Sequence, residues 1–117
     1  MPIDAVVFDF GGVVTTPITN QLNRLARRAR TDMLTMLEVV MGPRHHSSDH
    51  PWHRAERGEI PTAEIQGLIG AYAGAAGIQL VGDEIDDILT GQGFTLNDDV
   101  VSRITSLSDE GVRVALL

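Results

Sequence analysis

This 117-residue chain has no cysteine, which rules out disulfides and thiolate metal ligands and makes the cytoplasm the default expectation for its location. It has no lysine either. All nine of its basic residues are arginine, so chemistry that needs an ammonium group finds none here. Aromatic residues make up 4% of the chain against 43% apolar residues, so the core must be aliphatic. No apolar run approaches the roughly 18 residues that a membrane-spanning helix needs. Met1-Pro2-Ile3-Asp4 has neither a basic n-region nor the start of an apolar h-region, so no secretory signal is expected.

Charge narrows the field further. A net charge of −7 argues against a nucleic-acid surface, because binding phosphate backbones takes clustered cations. Arg24, Arg27, Arg28 and Arg30 are the one basic cluster, and they fall in a helical pattern whose other residues are apolar. A solvated helix face explains them. No membrane partner is expected. The length suits one domain, or part of a larger one.

Against these absences stands Ala5-Val6-Val7-Phe8-Asp9-Phe10-Gly11-Gly12-Val13-Val14. Ala5 to Phe8 read as a short strand buried on both faces of a parallel sheet. A carboxylate directly after such a strand is costly unless that end opens into a crevice, where open α/β sheets bind ligands. The two glycines allow a sharp turn and a close ligand approach to main-chain N–H groups. The alternative is that Asp9 simply caps a turn.

Downstream, Thr15-Thr16-Pro17 reads as a turn out of the sheet. Apolar residues then recur at helical spacing from Ile18 to Met41, with a possible break at Thr31-Asp32, where Thr31 suits an N-cap and Asp32 a first turn. Gly42-Pro43 ends that pattern. After a polar loop, Pro51 opens a short helix through Trp52 to Arg57, capped near Asp49 or His50 and ended by Gly58. A further helix runs from about Ile65 to Ala76. Its Gly67, Gly70, Ala71, Ala73, Gly74 and Ala75 offer a small-residue surface for close helix packing. Asp83-Glu84 begin another helical segment, Gly91-Gln92-Gly93 is a hinge, and Asn97 caps a helix over Asp98–Asp109 with Val100, Val101, Ile104 and Leu107 on its buried side. Val112 to Leu117 read as a second buried strand. A strand followed by about 75 residues of helix is too long for an ordinary βαβ crossover, but it suits an inserted helical bundle that leaves the sheet near Thr16 and returns near Gly93.

The segment Val7-Phe8-Asp9-Phe10-Gly11-Gly12-Val13-Val14 resembles the first motif of the haloacid-dehalogenase-like (HAD) hydrolases, most closely the branch related to the phosphatase domain of soluble epoxide hydrolases. His50-Pro51-Trp52-His53-Arg54-Ala55-Glu56-Arg57-Gly58-Glu59-Ile60 resembles a stretch of that branch's helical cap. The resemblance implies an α/β fold: a partial Rossmann-like parallel sheet from 1–15 and 94–117, with a helical-bundle cap inserted over 16–93. It implies a phosphatase whose Asp9 attacks phosphorus, with Mg²⁺ held by Asp9 and the Gly11 carbonyl, acting on a small phosphorylated or other anionic substrate. It places Gly11, Gly12, Trp52, His53 and Arg54 around that substrate.

Two departures qualify this. The family usually has a second Asp where Gly11 stands, protonating the leaving group, and glycine cannot. The family's later motifs, a Ser or Thr, a Lys and an acidic pair, are absent, and without lysine the Lys motif has no candidate. Asp86-Asp87 and Asp98-Asp99 suit helix starts better than metal binding. These residues are therefore expected to be the amino-terminal part of a hydrolase, inactive alone. The competing expectation is a non-catalytic relative or gene remnant that binds an anion or a protein partner. Dehalogenation, which needs no leaving-group proton, ranks below both. His45, His46, His50 and His53 match no structural zinc spacing. Either His50, Trp52, His53 and Arg54 face Asp9 from the cap, or Trp52 belongs to the cap core with His53 and Arg54 in solvent.

Overall fold

The computed structural model describes residues 2–80 and 84–117. The chain is mixed α/β and mostly helical, and the described residues form two compact units, Met1–Ile18 with Phe94–Leu117 and Thr19–Gly93.

The first unit holds a two-stranded parallel sheet of β1 (Ala5–Phe8) and β2 (Arg113–Leu116), with Ala5 opposite Arg113 and Phe8 opposite Leu116. Arg113 N–H donates to the Asp4 carbonyl at 3.1 Å and Leu117 N–H to the Phe8 carbonyl at 2.8 Å. Both strands were expected to be buried, and neither is. Ala5, Val7, Ala115 and Leu116 are exposed, and Val6, Phe8 and Val114 are half-buried. The reason is physical: a strand is buried on both faces only when layers cover both, and a two-stranded sheet has too little surface to hold them. The final helix of the chain, α6 (Asp98–Asp109), packs beside β2 and is capped as expected by Asn97, whose side chain accepts from Val100 N–H at 3.4 Å. Its apolar face of Val100, Val101, Ile104 and Leu107 is only half-buried, not buried.

Where the chain leaves and re-enters this unit, the two crossings are joined. Thr15 bridges Leu96 antiparallel, Thr16 N–H donates to the Thr95 carbonyl at 2.8 Å, and Asn97 N–H donates to the Val14 carbonyl at 2.7 Å. Val14 and Thr15 are buried there.

The second unit contains α1 (Thr19–Ala29), α2 (Met33–Met41), α3 (Pro51–Glu56), α4 (Thr62–Ala75) and α5 (Glu84–Thr90). Asp83 lies outside the described residues. The break between α1 and α2 is real, with its cap one residue later than expected. Asp32, not Thr31, accepts the Thr35 N–H at 2.9 Å and the Thr35 hydroxyl at 2.6 Å. These bonds from Thr35, the hydroxyl first, hold the Asp32 carboxyl below its usual range. Leu22, Leu25, Met36, Val40 and Ile69 are essentially inaccessible and form the aliphatic core, in keeping with the shortage of aromatics. The small-residue surface of α4 does not receive a helix. Gly67, Gly70, Ala71, Gly74 and Ala75 are exposed, only Ala73 is buried, and a Cβ added at Gly67, Gly70 or Gly74 would meet nothing within 4 Å.

Candidate functional site

Asp9 leaves β1 directly and is exposed. One carboxylate oxygen, Oδ1, accepts the Phe10 N–H at 2.8 Å. Asp9 is therefore a turn cap, as the simpler reading had it, but Oδ2 has no protein partner among the described residues. A cap and a reactive carboxylate are compatible here.

The next residues form a type II turn, with Gly11 at φ −70°, ψ 117° and Gly12 at φ 79°, ψ 2°. The glycines are not equivalent. Gly12 occupies the left-handed position that disfavours a side chain. Gly11 has dihedrals that any residue adopts, and a Cβ there would meet nothing within 4 Å. Thr15 secures the turn from its buried position: its hydroxyl accepts the Gly12 N–H at 3.2 Å and its N–H donates to the Phe10 carbonyl at 3.1 Å. Sequence reasoning passed over Thr15 as a generic turn residue.

Asp9, Gly11 and Gly12 belong to the sheet unit, and Trp52, His53 and Arg54 to the helical unit on α3. The α3 residues are half-buried, and two of them have polar contacts within their own unit. His53 Nδ1 accepts from Ser48 N–H at 3.0 Å and lies 3.0 Å from the Ser48 hydroxyl. Arg54 Nε faces Glu59 at 3.4 Å. Trp52 differs, because its indole Nε1 is buried with no hydrogen-bond partner.

The loop before α3 is fastened by Arg57. Its guanidinium donates to the Ser47 hydroxyl at 2.7 Å and the Ser48 carbonyl at 3.1 Å while pairing with both Glu59 oxygens, at 2.6 and 3.2 Å. The Glu59 hydrogen bond raises the Arg57 pKa, and the same contact lowers that of Glu59. His50 caps α3, a role anticipated only as Asp49 or His50. Its buried ring accepts the Trp52 N–H at Nδ1, at 3.1 Å, and donates from Nε2 to the Val39 carbonyl at 3.0 Å. Burial is the main force lowering its pKa. Tyr72, edge-on to the His50 ring with centroids 4.4 Å apart, and Gly42 were not anticipated as its neighbours. A residue-spacing argument has no access to either, since both lie on other helices or their ends.

For a divalent cation, the Asp9 carboxylate and the Gly11 carbonyl are hard oxygen donors of the right kind. They would be two of the roughly six oxygens that octahedral Mg²⁺ takes. Among the described residues no three His, Asp or Glu side chains gather as a metal-holding group. The helical unit also carries a shallow depression lined by Leu34, Leu37, Glu38, Arg44 and His45, which shares no residue with the Asp9 turn. No helix among the described residues is long and apolar enough to cross a membrane. No family model, curated protein or solved structure matches the chain.

Proposed function

We propose that these residues carry the nucleophile turn and helical insert of a HAD-like hydrolase, a Mg²⁺-dependent phosphatase in which Asp9 is the nucleophile. The observation that carries this reading is an exposed Asp9 with one unpartnered oxygen, placed directly after a strand of a parallel pair. The sheet unit is then a partial Rossmann-like core and the helical unit its inserted cap, with residues 9–112 linking the two parallel strands.

In this chemistry an Asp9 oxygen attacks the phosphorus of a small phosphate ester, the ester P–O bond breaks, and the leaving-group oxygen departs with the bonding pair and takes a proton from solvent water. Water then hydrolyses the aspartyl-phosphate and restores the carboxylate. A bound Mg²⁺ supplies charge neutralisation between two anions, with Asp9 and the Gly11 carbonyl as its ligands here. Thr15 holds the turn that sets the direction of Asp9, and Gly12 gives that turn its shape. The same resemblance assigns Trp52, His53 and Arg54 on α3 to substrate binding, with the Trp52 Nε1 buried and unpartnered in the helical unit.

Gly11 cannot protonate a leaving group. General acid catalysis is worth about 10²–10⁴-fold, so substrates with good leaving groups are favoured. The same absence, and the lack of any lysine among these residues, favours a second reading: a non-catalytic relative that binds an anion or protein partner at the Asp9 turn. A dehalogenase, which would use Asp9 in the same way on carbon, has no separate support.

The test is turnover of an aryl phosphate by the natural protein in Mg²⁺, with and without Asp9→Asn. The phosphatase reading expects turnover that the substitution abolishes; undiminished hydrolysis by the Asn variant refutes it. A protein without turnover that takes up beryllium fluoride only when Asp9 is intact establishes the non-catalytic reading.

A further inference from the structure

We propose that His50 is an acid-sensitive latch in the helical unit: adding a second proton to its ring undoes the cap of α3 and releases that helix from α2 and α4.

The case rests on which atoms donate. The main-chain N–H of Trp52 is only ever a donor, so the ring nitrogen it meets, Nδ1 at 3.1 Å, must be unprotonated. The Val39 carbonyl is only ever an acceptor, so Nε2, 3.0 Å away, must carry the hydrogen. Together these contacts fix the neutral Nε2–H tautomer. The one place left for a second proton is Nδ1, where it would point at another donor. Protonation and the cap exclude each other.

Apart from the Val39 carbonyl, the surroundings offer a cation no compensation. His50 is 4% exposed. From α4, Tyr72 meets the ring edge-on, and from the end of α2, Gly42 lies so close that a Cβ there would be 2.7 Å from the His50 Cγ. From α3, the His53 ring stands 5.9 Å away, and a charge on it opposes one on His50. In the preceding loop, the Ser48 hydroxyl accepts the His50 N–H at 3.1 Å. Among the other ionisable residues of these elements, Glu38 on α2, Arg44, His45, His46 and Asp49 in the loop, Arg54 and Glu56 on α3 and Glu64 on α4, none contributes to the shift at the ring. Burial, opposed by the Val39 hydrogen bond, lowers the pKa from its ordinary value.

The direction of the pH effect follows. The folded state holds His50 neutral, whereas the unfolded chain protonates it near its ordinary pKa of about 6.5. The latch is fully closed above that pH and loosens as pH falls below it, by up to about tenfold in the folding equilibrium per pH unit for one proton. A six-residue helix has almost no stability of its own, so loss of the cap frees α3. The chain's single tryptophan, Trp52, lies on that helix and reports its release.

The experiment combines two readouts on the full chain. Nitrogen-15 NMR of the imidazoles gives the tautomer and titration of His50, and Trp52 emission during urea unfolding at pH 7.5, 6.0 and 5.0 gives the stability. The latch requires the Nε2–H tautomer at pH 7.5, a His50 titration below 6.5, and a transition midpoint that falls between pH 6.0 and 5.0. His50→Asn, which keeps a side-chain acceptor for the Trp52 N–H, should lose most of that fall. A His50 that titrates at or above 6.5, or an unchanged pH dependence in the Asn variant, overturns the latch. If the Asn variant does not fold, the NMR titration of the unaltered protein decides alone.

Discussion

Gly42→Ala is the most informative single substitution, because two independent costs meet at that position. The residue ends α2 at φ 79°, ψ −177°. That region is essentially confined to glycine, and holding another residue there costs about 1–3 kcal/mol. The new methyl would also sit 2.7 Å from His50 Cγ and 2.9 Å from His50 Cβ, closer than carbon atoms approach without displacement. The ring cannot move aside freely, since its two nitrogens are bonded to Val39 and Trp52. Each of those bonds contributes about 0.5–1.5 kcal/mol when intact, and leaving a buried group unpaired costs about 1–3 kcal/mol. The backbone term and one buried group left unpaired together come to about 2–6 kcal/mol, a large share of the roughly 5–15 kcal/mol that holds a domain folded.

A control separates the two costs. Gly58 also has a positive φ, 72°, but a Cβ there meets nothing within 4 Å. Gly58→Ala should therefore cost only the backbone term, about 1 kcal/mol. Thermal unfolding followed by Trp52 emission and by far-ultraviolet circular dichroism measures both variants. Gly42→Ala should lower the melting temperature by about 10 °C or more and Gly58→Ala by a few degrees. Equal losses would show that the His50 ring is not held as its contacts indicate, and would remove the geometric basis of the acid-sensitive latch as well.

Two further outcomes follow from the sheet unit. Gly11→Asp should leave the fold intact, because the backbone there suits any residue and its side-chain direction is open; in a protein that turns over phosphate esters it should accelerate alkyl phosphates far more than aryl phosphates, and equal effects would show that the leaving-group proton comes from elsewhere. The chain should associate with rising concentration in sedimentation velocity, because both strands of its sheet are exposed edges, and Leu116→Lys on β2 should reduce the association. A monodisperse monomer at every concentration refutes this.

What the sequence reveals and what it hides divide along the range of the interactions. Helix ends were legible because their causes are local: Pro51 and Gly58 bracket α3, Asn97 starts α6, and Asp32 differs from the anticipated Thr31 cap by a single position. The parallel pairing of 5–8 with 113–116 was also legible, since two apolar runs separated only by helices have few other partners. Burial was not. The apolar character of Ala5-Val6-Val7-Phe8 shows that the strand gains by being covered, but covering layers are supplied by residues far along the chain. The small side chains of α4 misled for the same reason, because they permit close packing without providing a partner.

The two candidate sites sit at opposite ends of that scale. The Asp9 turn is almost wholly local, with contacts that run from Asp9 to Thr15, and the sequence exposed most of it. The His50 cluster needs Val39 and Gly42 from α2, Ser48 from the loop and Tyr72 from α4. In sequence, His50 is one of four histidines with no recognisable spacing, and imidazole is not among the usual helix caps. It becomes a defined chemical object only when the fold presents an obligate donor to one nitrogen and an obligate acceptor to the other. The same long-range contacts that hid it from a residue-by-residue reading make it sensitive to protons, because neither partner can change its role when the ring does.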